Sequence, residues 1–93
     1  MYAIISSRDF KKSLEKLRRS GKFNESLLEK ILTLLVSGEI LPTKYKDHQL
    51  QGDLAHLRQC HIKGDLLLQY KRNEDMKAII LDDIGTHHQI LGR

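Results

Sequence analysis

Five histidines stand among 93 residues, and three of them fall where a chain would reverse or end a strand. They are His48 in YKDHQLQG, His61 in RQCHIKGDLLLQY and His87 in DDIGTHHQIL. Imidazole titrates near pH 6.5, so it can give or take a proton at neutral pH. Asp65 follows His61 by four residues, and His48, His61, Asp65 and His87 together could support three chemistries. A metal centre would need imidazoles and a carboxylate converging at about 2.0–2.2 Å, yet no HxxxH or HExxH spacing is present. Covalent catalysis by Cys60 would need a base beside it, and its neighbour His61 faces the other way on an extended strand. Metal-free RNA cleavage needs a base for the ribose 2′-hydroxyl, an acid for the departing 5′-oxygen and positive charge for the phosphorane. Histidine suits both proton roles, Asp65 could orient or tune His61, and no metal or other cofactor is required. His56 and His88 lack this context and read as surface residues. His88 could still exchange places with His87, because adjacent rings on an extended segment point to opposite sides.

These side chains need elements to carry them. Met1–Ile5 is short and β-prone, an opening strand. Ser6 and Ser7 supply a helix cap, with Asp9 three residues after Ser6 as in a capping box. Phe10, Leu14 and Leu17 recur at helical spacing, so residues 8–19 form an amphipathic helix that closes near Gly21. Asn24 caps a second helix running to about Val36 and ending at Gly38. Residues 39–53 hold the only proline, Pro42, and form a long, partly irregular connection of the kind that carries function. Strands follow over roughly 54–61, 65–71 and 76–82, with a short terminal strand near 89–91. The order gives one α+β domain over residues 1–93, with two antiparallel N-terminal helices on one face of a twisted antiparallel sheet. For the turn after His61, a three-residue loop closed by Gly64 avoids positive φ at Lys63. That register sets His61 directly across from Asp65 and turns Arg58 and Cys60 to the other face with Leu66, Leu68 and Tyr70.

Composition narrows the setting. Hydrophobic residues are 40% and charged residues 30% of the chain, ordinary values for a soluble domain. No apolar run reaches the ~18 residues that span a bilayer, so no membrane role is expected. No secretory leader is apparent, and the single cysteine cannot form an internal disulfide, which points to the cytoplasm. The net charge is +4. Residues 8–22 hold seven Lys or Arg against Asp9 and Glu15, a local excess of five (seven minus two). Such a helix suits an anionic partner, because neutralising phosphates releases counterions.

The three histidine segments, in this order, resemble the YafQ branch of the RelE/ParE toxin superfamily. The family pattern is a YKDHxLxG-like loop, a strand pair R-x-x-H-x-x-x-D with an apolar stretch ending in Tyr, and a closing G-[ST]-H. The match spans about half of the chain; the two-helix half agrees in architecture alone. The resemblance implies two helices against an antiparallel sheet and a ribosome-dependent endoribonuclease that cuts mRNA without metal, held inactive by a cognate antitoxin. It assigns catalytic roles to His48, His61, Asp65 and His87, with His87 as the general acid and one of the others as base.

Three positions depart from that pattern. Asp83 stands where the family has arginine four residues before the terminal histidine, and an aspartate beside a phosphorane would repel it. Asp83→Arg would restore the charge if Asp83 occupies that place. Leu66 and Leu91 stand where aromatics are usual, and Tyr45 or Tyr70 could replace them as stacking platforms. The phosphate contact then falls to Lys46, Arg58, Lys63 or Arg93. Lys46 is favoured by its place two residues from His48, whereas Arg58 points away in the register above. The charge distribution carries an expectation of its own. The antitoxin should cover the basic helix or the histidine face with an acidic segment; a basic segment at that contact in the purified complex would contradict this.

Overall fold

The computed structural model describes residues 1–91; Arg93 lies outside them. Strand β1 (Ala3–Ser6) leads into α1 (Arg8–Arg19), and a short connection leads to α2 (Glu25–Ser37). The sheet continues with β2 (His48–Gln49), β3 (Arg58–Lys63), β4 (Leu66–Asn73) and β5 (Ala78–Thr86), and the short helix α3 (His87–Leu91) follows. Single 3₁₀ turns at Thr43–Tyr45 and Gly52–Leu54 shape the long connection. The second of them delays β3 to Arg58, later than the expected start near residue 54.

Local chemistry sets the helix ends. The cap of α1 is Ser7, whose hydroxyl accepts from the Phe10 amide at 3.0 Å. Ser6 is committed to β1, where it pairs with Leu81, so the expected Ser6–Asp9 box does not form. Asn24 caps α2 by accepting from the Ser26 amide at 3.0 Å. That helix closes on Gly38 at φ +81, where a side chain would be strained.

The five strands lie in the order β1-β5-β4-β3-β2. All neighbours are antiparallel except β1, which runs parallel to β5. A parallel partner needs a long crossover, and here the remainder of the fold supplies it. Phe10 of α1 and Leu28, Ile31 and Leu35 of α2 pack against Cys60, Leu68, Tyr70, Ile79, Leu81 and Ile84 from one face of the sheet. Tyr45 joins this core at 8% exposure and Tyr70 at 1%, so neither is open to stack a base. Among the described residues no helix is long and apolar enough to cross a membrane.

Three register details depart from the expectations. In the β3–β4 hairpin Lys63 pairs with Leu66, leaving a two-residue turn of Gly64 and Asp65. Gly64 alone takes the positive φ, +57, which glycine tolerates best. A bulge between His61 and Lys63 absorbs the extra residue and keeps Ile62 in the core. His61 therefore stands opposite Leu67, not Asp65. The face expected for Arg58 and Cys60 holds, on the side of Leu68 and Tyr70. Each pairs two residues further along β4 than a three-residue loop would set it, Arg58 with Tyr70 and Cys60 with Leu68.

A second irregularity, between Gln69 and Tyr70, leaves Asp82 as the extra residue of β5. The third concerns the C-terminus, where residues 87–91 are helical and not a strand. The sequence T-H-H-Q is a capping box: the Gln89 carboxamide accepts from the Thr86 amide at 2.8 Å, and the Gln89 amide donates to the Thr86 hydroxyl at 3.2 Å. A Cβ on Gly85 would meet the Gln89 Oε1 at 2.9 Å, so a larger residue there would push the Gln89 carboxamide off the Thr86 amide.

The core carries a pH signature. Burial pushes the Cys60 thiol up to about 12. Burial, and then a hydrogen bond to Asp47, also raises Tyr70 above the ordinary phenol range. Both acids are more protonated when folded, so their contribution is complete below the unfolded thiol pKa of about 8.5 and is lost as pH rises toward the folded values. The unfolding temperature should hold from pH 7 to about 8.5 and then fall. Cys60→Ala should flatten the first part of that fall. An unchanged slope in the variant, measured by circular dichroism, would contradict the assignment.

Candidate active site

The connection before β3 turns sharply. Lys46 adopts φ +49, unusual for a residue with a side chain, and Asp47 points back toward the sheet. Its carboxylate accepts from the Arg58 guanidinium at 3.1 Å and from the Tyr70 hydroxyl at 2.6 Å. Arg58 is thereby engaged on the helix side of β3 rather than offered to a ligand, and the hydrogen bond it donates to Asp47 raises its pKa further. Lys46 and His48, on either side of Asp47, are exposed.

His48 Nδ1 lies 2.7 Å from the Lys46 carbonyl. A carbonyl only accepts, so Nδ1 carries the proton and Nε2 keeps its lone pair in the neutral ring. That is the tautomer of a base. His48 pairs with Gln59 across to β3, and His61 follows two residues later on the same face. A diagonal pair of this kind stands about 7 to 8 Å apart, with the Cβ atoms somewhat closer.

At the same end of the sheet the hairpin turn meets the start of α3. The His87 amide donates to the Asp65 carbonyl at 3.1 Å, fixing the terminal histidine to the turn that holds the carboxylate. His61 Nδ1 faces the Gly64 carbonyl of that turn at 3.4 Å, a weak contact. His87 and Asp65 are exposed and His61 is half-buried. His87 and His88 are successive residues of a helix, so their side chains diverge by about 100° rather than lying on opposite faces. Lys63, exposed, flanks the turn on the β3 side.

The face of β3–β5 away from the helices is lined by a polar ladder. Gln59 donates to Gln69 at 2.8 Å and Gln69 to Asp82 at 2.7 Å. Both glutamines are buried, and the ladder satisfies their amides. Asp83 turns the other way, toward α1. Its carboxylate, 3% exposed, accepts from the Ser13 hydroxyl at 2.7 Å and the Ile84 amide at 2.8 Å. Arginine at this position would have to give up both bonds. Cys60 is buried with a raised pKa, the opposite of a reactive thiolate. Among the described residues no group of three or more His, Cys, Asp or Glu side chains is placed to hold a metal ion.

Asp47 and the Thr86–Gln89 box are the parts that reading the sequence passed over. The box had a legible signal in T-x-x-Q. Asp47 had only its position beside His48, because its partners lie 11 and 23 residues away.

The family model described as "Bacterial toxin of type II toxin-antitoxin system, YafQ" matches residues 2–92. The "mRNA interferase toxin YafQ" of Escherichia coli K12 is 33% identical over 78 residues, 83% of each chain. A crystal structure of a metal-bound toxin from Helicobacter pylori superposes with a TM-score of 0.89 at 37% identity, covering 97% of this chain and 99% of that one. The E. coli YafQ chain of the DinJ–YafQ complex superposes at 0.86 with 31% identity, covering 99% and 100%.

Asp47 anchors the segment carrying Lys46 and His48 through charge-assisted hydrogen bonds from two side chains, Arg58 and Tyr70, bonds of a kind that each contribute about 1.5–3 kcal/mol. Asp47→Ala should lower stability by roughly 2 kcal/mol or more, whereas His48→Ala at its exposed position should change it by less than about 0.5 kcal/mol. Equal denaturant midpoints for the two variants would contradict this.

Proposed function

Because the chain belongs to the YafQ family of bacterial toxins of type II toxin–antitoxin systems, we propose that it is an endoribonuclease that cuts mRNA on the ribosome without a metal. The observation that carries the reading is the meeting of His61, Asp65 and His87 at one end of the sheet, with His48 diagonal to His61. Ligands of one metal ion must share a point; an acid and a base acting on one phosphodiester must stand on either side of it.

In this mechanism His48 Nε2 removes the 2′-hydroxyl proton, and the 2′-oxygen attacks the adjacent phosphorus. His87, protonated, gives its proton to the 5′-oxygen as the P–O5′ bond breaks, leaving a 2′,3′-cyclic phosphate and a 5′-hydroxyl. Lys46 and Lys63 offset the charge of the phosphorane, the role for which the family uses arginine and for which Asp83 is unsuited. Asp65 holds the His87 amide to its turn through its carbonyl, and His61 orients the phosphate between His48 and His87. The basic face of α1 holds the RNA backbone. A cognate antitoxin, as DinJ is for E. coli YafQ, neutralises the activity.

The buried Asp83 favours one other reading, a binding module without catalysis. The two separate on His87. His87→Ala should reduce cleavage at least 100-fold while leaving thermal unfolding and antitoxin binding unchanged. Unaltered cleavage in that variant would show that the terminal imidazole takes no part. Cleavage should also survive a chelator, and its loss with recovery on adding zinc would replace this mechanism with a metal-dependent one.

A further inference from the structure

We propose that a slot beside Phe23 receives one unstacked base of the message, next to the nucleotide being cut. This rests on the nuclease reading and adds the subsite that would hold the strand. The slot lies between the α1–α2 connection and the β3–β4 hairpin and encloses about 330 Å³, the lower end of the range for small-ligand sites. Its apolar walls include Leu17, Phe23, Leu27 and Leu66, half-buried residues that pack on the core while leaving one side open, and the polar Ser20 and Asn24 also line it. Lys22 and Lys63, both exposed, stand on its rim.

Three features select a nucleotide. First, an apolar slot rimmed by ammonium groups complements a planar base on a phosphate backbone, and aromatic rings are the usual platforms for splayed bases. Second, the volume is too small for a helix, which with side chains is about 10–12 Å across. Third, the slot is continuous with the candidate site: Lys63 and Leu66 flank the Gly64–Asp65 turn, whose Asp65 carbonyl holds the His87 amide. A strand with its scissile phosphate at that turn brings the next phosphate to Lys63 and the attached base to the mouth of the slot.

Phe23→Leu keeps the apolar bulk and removes the ring; Phe23→Tyr keeps the ring. Two readouts apply to the full chain: fluorescence of a single-stranded RNA oligomer containing 2-aminopurine and blocked by 2′-methoxy groups, and the rate of cutting of a ribosome-bound message. The wild type and Phe23→Tyr should quench the fluorophore. Phe23→Leu should not, and its KM should rise roughly 10- to 100-fold. Lys22→Glu, at the exposed rim, should weaken the quenching without altering the fold, and decides the matter should Phe23→Leu unfold. Indistinguishable Leu and Tyr variants in both assays would overturn the proposal. So would Phe23→Leu weakening a purified antitoxin while sparing RNA, because the slot would then belong to the antitoxin. Quenching by a wild type that cuts no message would sink the nuclease reading and leave the slot standing.

Discussion

The half-buried carboxylate of Asp47 ties the irregular part of the chain to the regular part. Arg58 on β3 and the Tyr70 hydroxyl on β4 both donate to it. Without that anchor, the segment that reverses at Lys46 would be held by the buried Tyr45 ring before it and the two-residue strand β2 after it. Asp47 also satisfies a guanidinium and a phenol against the core, groups that would be costly left unpaired. Side chains facing the helices thus fix the position of residues that face outward. Lys46 and His48 remain free to meet a ligand because Asp47 between them does not.

The far end of the sheet solves a related problem with backbone geometry. The bulge beside Ile62 lets β3 finish in register with the core while the hairpin closes on two residues. Gly64 supplies the positive φ of that turn, and Gly85 lets the Gln89 side chain close over the end of β5. The capping box starts α3 at His87, and the His87 amide binds back to the turn. Each device stops a strand and leaves Asp65 and His87 exposed at that end of the sheet. Lys46, Lys63 and the basic residues of α1 are exposed, and β5 carries no arginine.

Periodicity made the helices legible. Residues 8–19 agree with α1 to the residue, and Asn24 and Gly38 mark the ends of α2, because caps and apolar spacing are local signals. The face taken by Arg58 and Cys60 was also legible, since alternation decides which side a residue takes, although their partners on β4 were not. The turn after His61 was not. Gly64 announced a positive φ, yet a bulge can move the turn by one residue without changing which side chains are buried. The terminal helix was misread as a strand because five residues show no helical period, although T-H-H-Q carried its cap. The partners of Asp47 and Asp83 are long-range, and no local pattern encodes them. The four candidate catalytic residues came from resemblance and residue type, and their placement along the sheet depends on registers that only the fold provides.

The central claim is that one phosphodiester fits between His87 and the imidazoles of His48 and His61. A crystal structure of the chain with RNA bearing a 2′-methoxy group at the cut step tests it most directly. The account expects the scissile phosphate at the Gly64–Asp65 turn, with its 5′-oxygen within about 2.6–3.2 Å of His87 and the blocked 2′-oxygen facing His48. A phosphate bound elsewhere, with His48 and His87 unable to reach the same nucleotide step, would contradict it.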